Sequence, residues 1–169
     1  MATSWKSPWS RLPRLGSLIG MHVVQPVLEF ASAAAQDVEE LVALRIAAMR
    51  DSLERIGRFD PVRARERFLS GFAPQHTQHI VYAGQRIGFY AIKPMDGGLL
   101  LYHLYIRPGH QNLGAGSAAL AHVFALAAAQ GLPVRVGALR GSDSNRFYQR
   151  HGFALVEQGE FDNYYVRAA

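Results

Sequence analysis

Gln111, Asn112, Leu113, Gly114, Ala115 and Gly116, with Ser117 behind them, form a turn between an apolar run and an alanine-rich segment. Glycines in such a turn let backbone N–H groups come close to a ligand. The first turn of a following helix adds unpaired donors and a partial positive charge. Together they make a seat for a pyrophosphate, and so imply a phosphate-bearing cofactor. A glycine pair alone is weak evidence. Here it lacks the Lys-Ser/Thr of a P-loop, and it lacks the third glycine and distal acid of a dinucleotide fingerprint, since position 136 is Val. Both of those nucleotide folds are disfavoured.

The second group is Asn145-Arg146-Phe147-Tyr148-Gln149-Arg150-His151-Gly152-Phe153. Inward packing of Phe147 and a helix stop at Gly152 explain those two residues without any function. They do not explain Asn145 and Tyr148, which share one face of the helix. A tyrosine at that place can give a proton to a leaving group. Its ordinary pKa, about 10, suits a thiolate.

The elements that must position these groups follow from periodicity and turn chemistry. Val23 to Phe30 is a predicted strand, with Pro26 favouring an edge or a bulge. Asp37 to Arg55 has helical spacing and ends at Gly57. Asp60-Pro61 caps a second helix that stops near Gly71. His79 to Ala83 and Arg86 to Lys93 form a predicted hairpin turning at Gly84-Gln85. Leu99 to Ile106 is almost wholly apolar and reads as a central strand covered on both faces, with His103 inside it. Then come a helix over Gly114–Gln130, a strand over Val134–Leu139, a helix over Ser142–His151, and strands over Phe153–Glu157 and Tyr164–Arg167. The predicted order is β-α-α-β-β-β-α-β-α-β-β: an α/β (α+β) domain with a mixed, mostly antiparallel sheet and helices on both faces.

The 169 residues suit one domain. Residues 1–20 carry Lys6, Arg11 and Arg14 and no acid, so three of the five net positive charges lie there. They are expected to be a disordered extension, with Met21 as an alternative start and residues 21–169 as the domain. Pro26 and the polar residues around it argue against a secretory signal, and no apolar run of about 18 residues spans a membrane; a cytoplasmic protein is expected. Arg55, Arg58, Arg63, Arg65 and Arg67 alternate with Glu54, Asp60 and Glu66, which makes a solvated helical face or a contact for an anionic ligand. No clustered basic face for nucleic acid is visible. The absence of cysteine excludes disulfides, thiolate metal sites and a cysteine nucleophile.

The glycine turn after an apolar strand, paired with Asn145-x-Phe147-Tyr148-x-x-x-Gly152-Phe153 about thirty residues on, resembles the GCN5-related N-acetyltransferase (GNAT) superfamily, and the element order is similar too. The resemblance covers roughly residues 22–167 and implies acetyl transfer from acetyl-CoA to an amine, with no metal. It places the pyrophosphate on Gln111 through Ser117, the pantetheine arm along the backbone of Leu104, Tyr105 and Ile106, and Asn145 against the cofactor. It makes Tyr148 the acid that protonates the departing thiolate. The first turn position, often Arg in this family, is Gln111 here, so phosphate binding leans on backbone donors. His103 is the candidate general base, with a hydrogen-bonded core histidine as the alternative; Glu29 and Glu157 are further candidates, and a water relay needs none of them. The tyrosines around the sheet serve packing, with one or two lining an acceptor pocket. The expected acceptor is a small-molecule primary amine. A protein lysine or N-terminus, a non-catalytic acyl-CoA-binding module, and an interaction protein with an incidental glycine turn are the alternatives. A homodimer is compatible with the resemblance.

Overall fold

The computed structural model describes residues 27–169. The expected extension over residues 1–20, and residues 23–26 of the first predicted strand, lie outside them. Seven strands form one sheet: β1 (Leu28–Ser32), β2 (Thr77–Tyr82), β3 (Gln85–Met95), β4 (Gly98–Ile106), β5 (Val134–Leu139), β6 (Ala154–Gln158) and β7 (Asp162–Arg167). Their order across the sheet is β1-β2-β3-β4-β5-β7-β6. Only β4 and β5 pair in parallel; every other neighbouring pair is antiparallel. The helices are α1 (Val38–Arg55), α2 (Pro61–Gly71), α3 (Ala115–Gln130) and α4 (Ser144–Arg150).

Each helix begins and ends where its sequence dictates. Asp60 accepts a hydrogen bond from the Arg63 backbone N–H at 3.0 Å, and Pro61 fills the first helical position. Gly131 closes α3 in the left-handed conformation, φ 63°. The β2–β3 hairpin turns on Ala83 and Gly84, both at positive φ, one residue earlier than the sequence suggests.

Two apolar layers sandwich the sheet. Leu41, Val42 and Leu44 of α1 and Phe68 of α2 pack with Phe89 of β3 on one face. Ala119, Leu120, Val123 and Ala127 of α3 pack on the other, with Leu99 and Leu101 of β4 and Val134 and Val136 of β5. The middle strand β4 serves both layers because it carries a β-bulge. Ile92 faces Leu101 but Ala91 faces His103, so Tyr102 is an extra residue on β4. Beyond the bulge the phase reverses: Leu104 and Ile106 join the α3 side, and Tyr105 joins the α1–α2 side.

Candidate active site

The site opens where β4 and β5 separate. The two strands pair only over Leu99–Leu101 and Val134–Val136. β4 runs on to Ile106 bound to β3 alone, and β5 continues to Leu139 bound to β7. The free strand edge formed by Leu104, Tyr105 and Ile106 thus faces the gap, with unpaired backbone groups on the β5 side for an extended ligand.

At the end of β4 the chain enters the glycine turn. Gly109, Asn112 and Gly114 all have positive φ, at 91°, 65° and 79°. Gly114 is the residue before α3, and a Cβ there would meet nothing within 4 Å, so its backbone conformation alone requires glycine. Gly116 is needed for a different reason: a Cβ would stand 3.2 Å from the ring of Phe147 on α4. The Gln111 side chain donates to the Ile106 carbonyl at 3.2 Å and ties the turn back to β4. The first intrahelical bond of α3 comes from Ala118 to Gly114. The amides of Ala115, Gly116 and Ser117 are therefore without helical acceptors, at the positive end of the helix.

The Ser117 hydroxyl is engaged. His151 Nδ1 lies 2.7 Å from the Phe147 carbonyl, so it carries the ring hydrogen and donates. Its Nε2, 2.9 Å from Ser117 Oγ, then accepts the hydroxyl proton. This pair fastens α4 to the first turn of α3. Between the two, Asn112, Asp143, Arg146, Gln149 and Arg150 border a surface depression of about 500 Å³. Arg146 pairs with Asp143 at 2.9 Å, while Arg150 makes no ion pair among the described residues. The sequence analysis gives neither arginine a role, although their spacing of one helical turn is visible there.

Asn145 sits at the junction of β5 and α4, with its amide fully used. Its Nδ2 donates to the carbonyls of Leu139 at 2.8 Å and Ser142 at 2.9 Å. Its Oδ1 accepts from Asn163 at 2.9 Å and Tyr165 at 2.8 Å. Direct contact with a cofactor would displace one of these bonds. Tyr148, three residues along α4, is buried against Phe147 and Phe153. Burial, with a smaller contribution from Tyr105, pushes its phenol well above the usual tyrosine range. Tyr105 is raised as well, again chiefly by burial, and feels both Arg45 and Asp162. Tyr105 packs on the α1–α2 side, its hydroxyl donating to Met49 Sδ at 3.2 Å, whereas Tyr148 belongs to the layer on the α3 side.

On the opposite face of β4, His103 is set among Phe68, Phe89, Tyr102 and Tyr105. Both of its ring nitrogens are buried without a hydrogen-bond partner. Burial, assisted by Arg45 and Lys93, pushes its pKa down to about 3. At neutral pH it is an uncharged ring with one donor and one acceptor unused. Glu29 and Glu157 stand on β1 and β6, the two edge strands, and are exposed. The arginine-rich stretch divides: Arg65 pairs with Glu39, and Arg58 stacks on the Phe161 ring at 3.6 Å, joining the α1–α2 loop to the β6–β7 turn.

A seven-stranded mixed sheet of this order, with one parted parallel pair and a glycine turn capping the helix behind it, is the GNAT-like architecture. Residues 75–155 match the family model of the acetyltransferase (GNAT) domain. That stretch is a GNAT acetyltransferase domain, and it supports an acetyl-CoA-dependent acetyltransferase. No curated protein matches it in sequence. Its fold is similar to that of the PaiA N-acetyltransferase of Thermoplasma acidophilum in complex with coenzyme A (TM-score 0.71, 14% identity, 85% of this chain and 99% of that one). It is also similar to an acetyltransferase of Thermus thermophilus (TM-score 0.65, 19% identity, 86% and 99%). A third similar structure is a GNAT-family acetyltransferase of Staphylococcus aureus (TM-score 0.64, 15% identity, 84% and 99%). Among the described residues no group of His, Asp or Glu is arranged to hold a metal ion, and no helix is long and apolar enough to cross a membrane.

Proposed function

We propose that this protein transfers the acetyl group of acetyl-CoA to the primary amine of a small molecule by direct attack, with Tyr148 as general acid. The observation that carries this reading is the gap between β4 and β5. It has free amides of α3 at one end and the unpaired edge of Leu104–Ile106 along its length, and α4, the helix that follows β5, carries the buried Tyr148 phenol. The diphosphate of the cofactor would rest on the amides of Ala115, Gly116 and Ser117, with Gln111, Asn112, Leu113 and Gly114 shaping the turn. Arg146 and Arg150 flank the depression beyond it and suit the nucleotide end. The pantetheine arm would add itself to β4 as an extra strand, pairing with Leu104, Tyr105 and Ile106.

The nitrogen lone pair attacks the thioester carbonyl, the C–N bond forms, and the carbonyl oxygen becomes an oxyanion stabilised by backbone N–H of β4. When the C–S bond breaks, the thiolate takes the Tyr148 proton. The ammonium formed by the attack loses its proton to water or to a protein base, and the phenol is reprotonated. Burial suits Tyr148 to this part, because it keeps the phenol protonated wherever an amine is free to attack. His103, on the acceptor side of β4, suits a neutral hydrogen-bonding partner of the acceptor better than a base, because burial lowers its pKa to about 3. Asn145 serves by holding α4, and therefore Tyr148, against β5 and β7.

An assay that reports free CoA across a panel of small amines and basic peptides tests the reading. Amine-dependent release from small amines is expected. Release from peptides alone would replace the small-molecule acceptor with a protein one. Coenzyme binding without any turnover would make the chain an acyl-CoA-binding module.

A further inference from the structure

The acceptor side of β4 holds more positive charge than its own side chains balance. The rings of Tyr102 and Tyr105 lie 4.4 and 5.6 Å from that of His103. Lys93 of β3 stands over the first, and the second hydrogen-bonds Met49, one helical turn beyond Arg45 on α1, so the three basic groups share one neighbourhood. Neither Arg45 nor Lys93 forms an ion pair with a carboxylate among the described residues. Arg45 spends one nitrogen on the Ala64 carbonyl at 3.0 Å and leaves its buried Nε unpartnered. Lys93 Nζ donates to the Gly71 carbonyl at 2.6 Å and lies 3.8 Å from the centre of the Tyr102 ring. Both nitrogens of His103 are unpartnered as well.

Half-buried cations and orphaned donors are costly when nothing answers them. Arg150, which also makes no ion pair among the described residues, is exposed and solvated, whereas Arg45 and Lys93 are half-buried. The rings of Phe68, Phe89 and Tyr102 stand around His103, so the unpaired cations lie beside an aromatic wall on the α1–α2 side of the sheet.

We infer that the acceptor amine carries a carboxylate, which binds Arg45, Lys93 and His103 while the amine points toward the gap between β4 and β5. This rests on the acetyl-transfer reading above and specifies its substrate class: amino acids and other amino-carboxylates with an apolar or aromatic middle. Arg45 offers Nε and a terminal nitrogen in the fork geometry that matches a carboxylate. The neutral His103 ring adds one N–H donor.

The test uses the full chain and matched pairs that differ only in the carboxylate, within a wider panel of small amines. Suitable pairs are L-phenylalanine with phenethylamine, β-alanine with ethylamine, and 4-(aminomethyl)benzoate with benzylamine. Free CoA is the readout. The carboxylated members are expected to have kcat/KM about ten- to a hundredfold higher, the range for charge-assisted hydrogen bonds. Arg45→Gln and Lys93→Met should each raise KM for the amino-carboxylate about tenfold or more, leave KM for acetyl-CoA unchanged and leave neutral amines little affected. Lys93→Met, whose ammonium meets only the end of α2 and the Tyr102 ring, carries the test if the α1 variant does not fold. Turnover of neutral or cationic amines as fast as their carboxylated partners overturns the inference and leaves the acetyl-transfer reading standing. No CoA release from any member of the panel overturns the small-molecule reading and the inference with it.

Discussion

The ring of Phe147 stands so close to Gly116 that a methyl group on the glycine would lie 3.2 Å from it. The two glycines of the turn therefore do separate tasks. Gly114 supplies a left-handed backbone, whereas Gly116 lets α4 close on α3. Gly116→Val is expected to force the helices apart, destabilising the fold by about 1–3 kcal/mol. Gly114→Ala is expected to cost about 1–2 kcal/mol through backbone strain alone. Thermal melting checks both, and coenzyme titration should show weaker binding for each.

Tyr148→Phe separates chemistry from binding. The ring stays packed between Phe147 and Phe153, so the fold and the affinity for acetyl-CoA should be retained. The turnover number should fall about a hundredfold or more, the usual range for loss of a general acid. Because burial raises the phenol above its ordinary value, wild-type rates should show no alkaline limb from Tyr148 below about pH 10. A variant as fast as wild type removes Tyr148 from the mechanism.

His103 keeps its neutral form in the folded chain, since its pKa is pushed down to about 3 from 6.5. The unfolded chain takes up a proton first as pH falls. The contribution of this ring is therefore complete above pH 6.5 and declines as pH drops toward 3. His103→Phe removes two orphaned buried nitrogens and should leave stability unchanged at neutral pH or raise it by about 1 kcal/mol. It should also flatten the acid loss measured by denaturant titration. Acetyl transfer should fall in the same variant if the ring hydrogen-bonds the acceptor as proposed.

Asp37 ties the start of α1 to the sheet. Its carboxylate accepts from the Ala34 backbone at 2.8 Å, from buried His79 at 3.0 Å and from Arg86 at 3.1 Å. The Ala34 amide first, and then His79, hold its carboxyl down to about 2 from 3.8. The unfolded carboxyl takes its proton first, so this stabilisation is complete above pH 3.8 and is lost as pH falls through about 2. Asp37→Asn should cost about 1–3 kcal/mol at pH 7 by removing one acceptor of Arg86 and the charge that strengthens the remaining bonds, and should respond less to acid across that window.

Arg150 should raise the affinity for the nucleotide end of the cofactor without touching the reaction. Arg150→Gln is expected to raise KM for acetyl-CoA about fivefold, equivalent to about 1 kcal/mol, with kcat unchanged. The effect should shrink at high salt, since the side chain is exposed. An unchanged KM would leave the α4 arginines as plain surface charge.

The sequence by itself determined the order of the elements, the strand–turn–helix around Gly114 and the helix bearing Asn145 and Tyr148. Each of these is written locally, in periodicity, caps and glycines, and so survives without knowledge of what packs where. Only the tertiary structure decided the rest. The bulge at Tyr102 is invisible in an apolar run, because a phase change needs a polar face to mark it, and it is this bulge that sends Tyr105 and Leu104 to opposite layers. The tasks of Asn145 and Gln111 as braces depend on carbonyls brought to them by folding. Arg45, Lys93 and His103 come from α1, β3 and β4, and no spacing along a chain can announce that three distant basic groups will meet without a counter-charge. Coulombic and desolvation effects act through space, so that part of the site exists only once the sheet and its helices have closed.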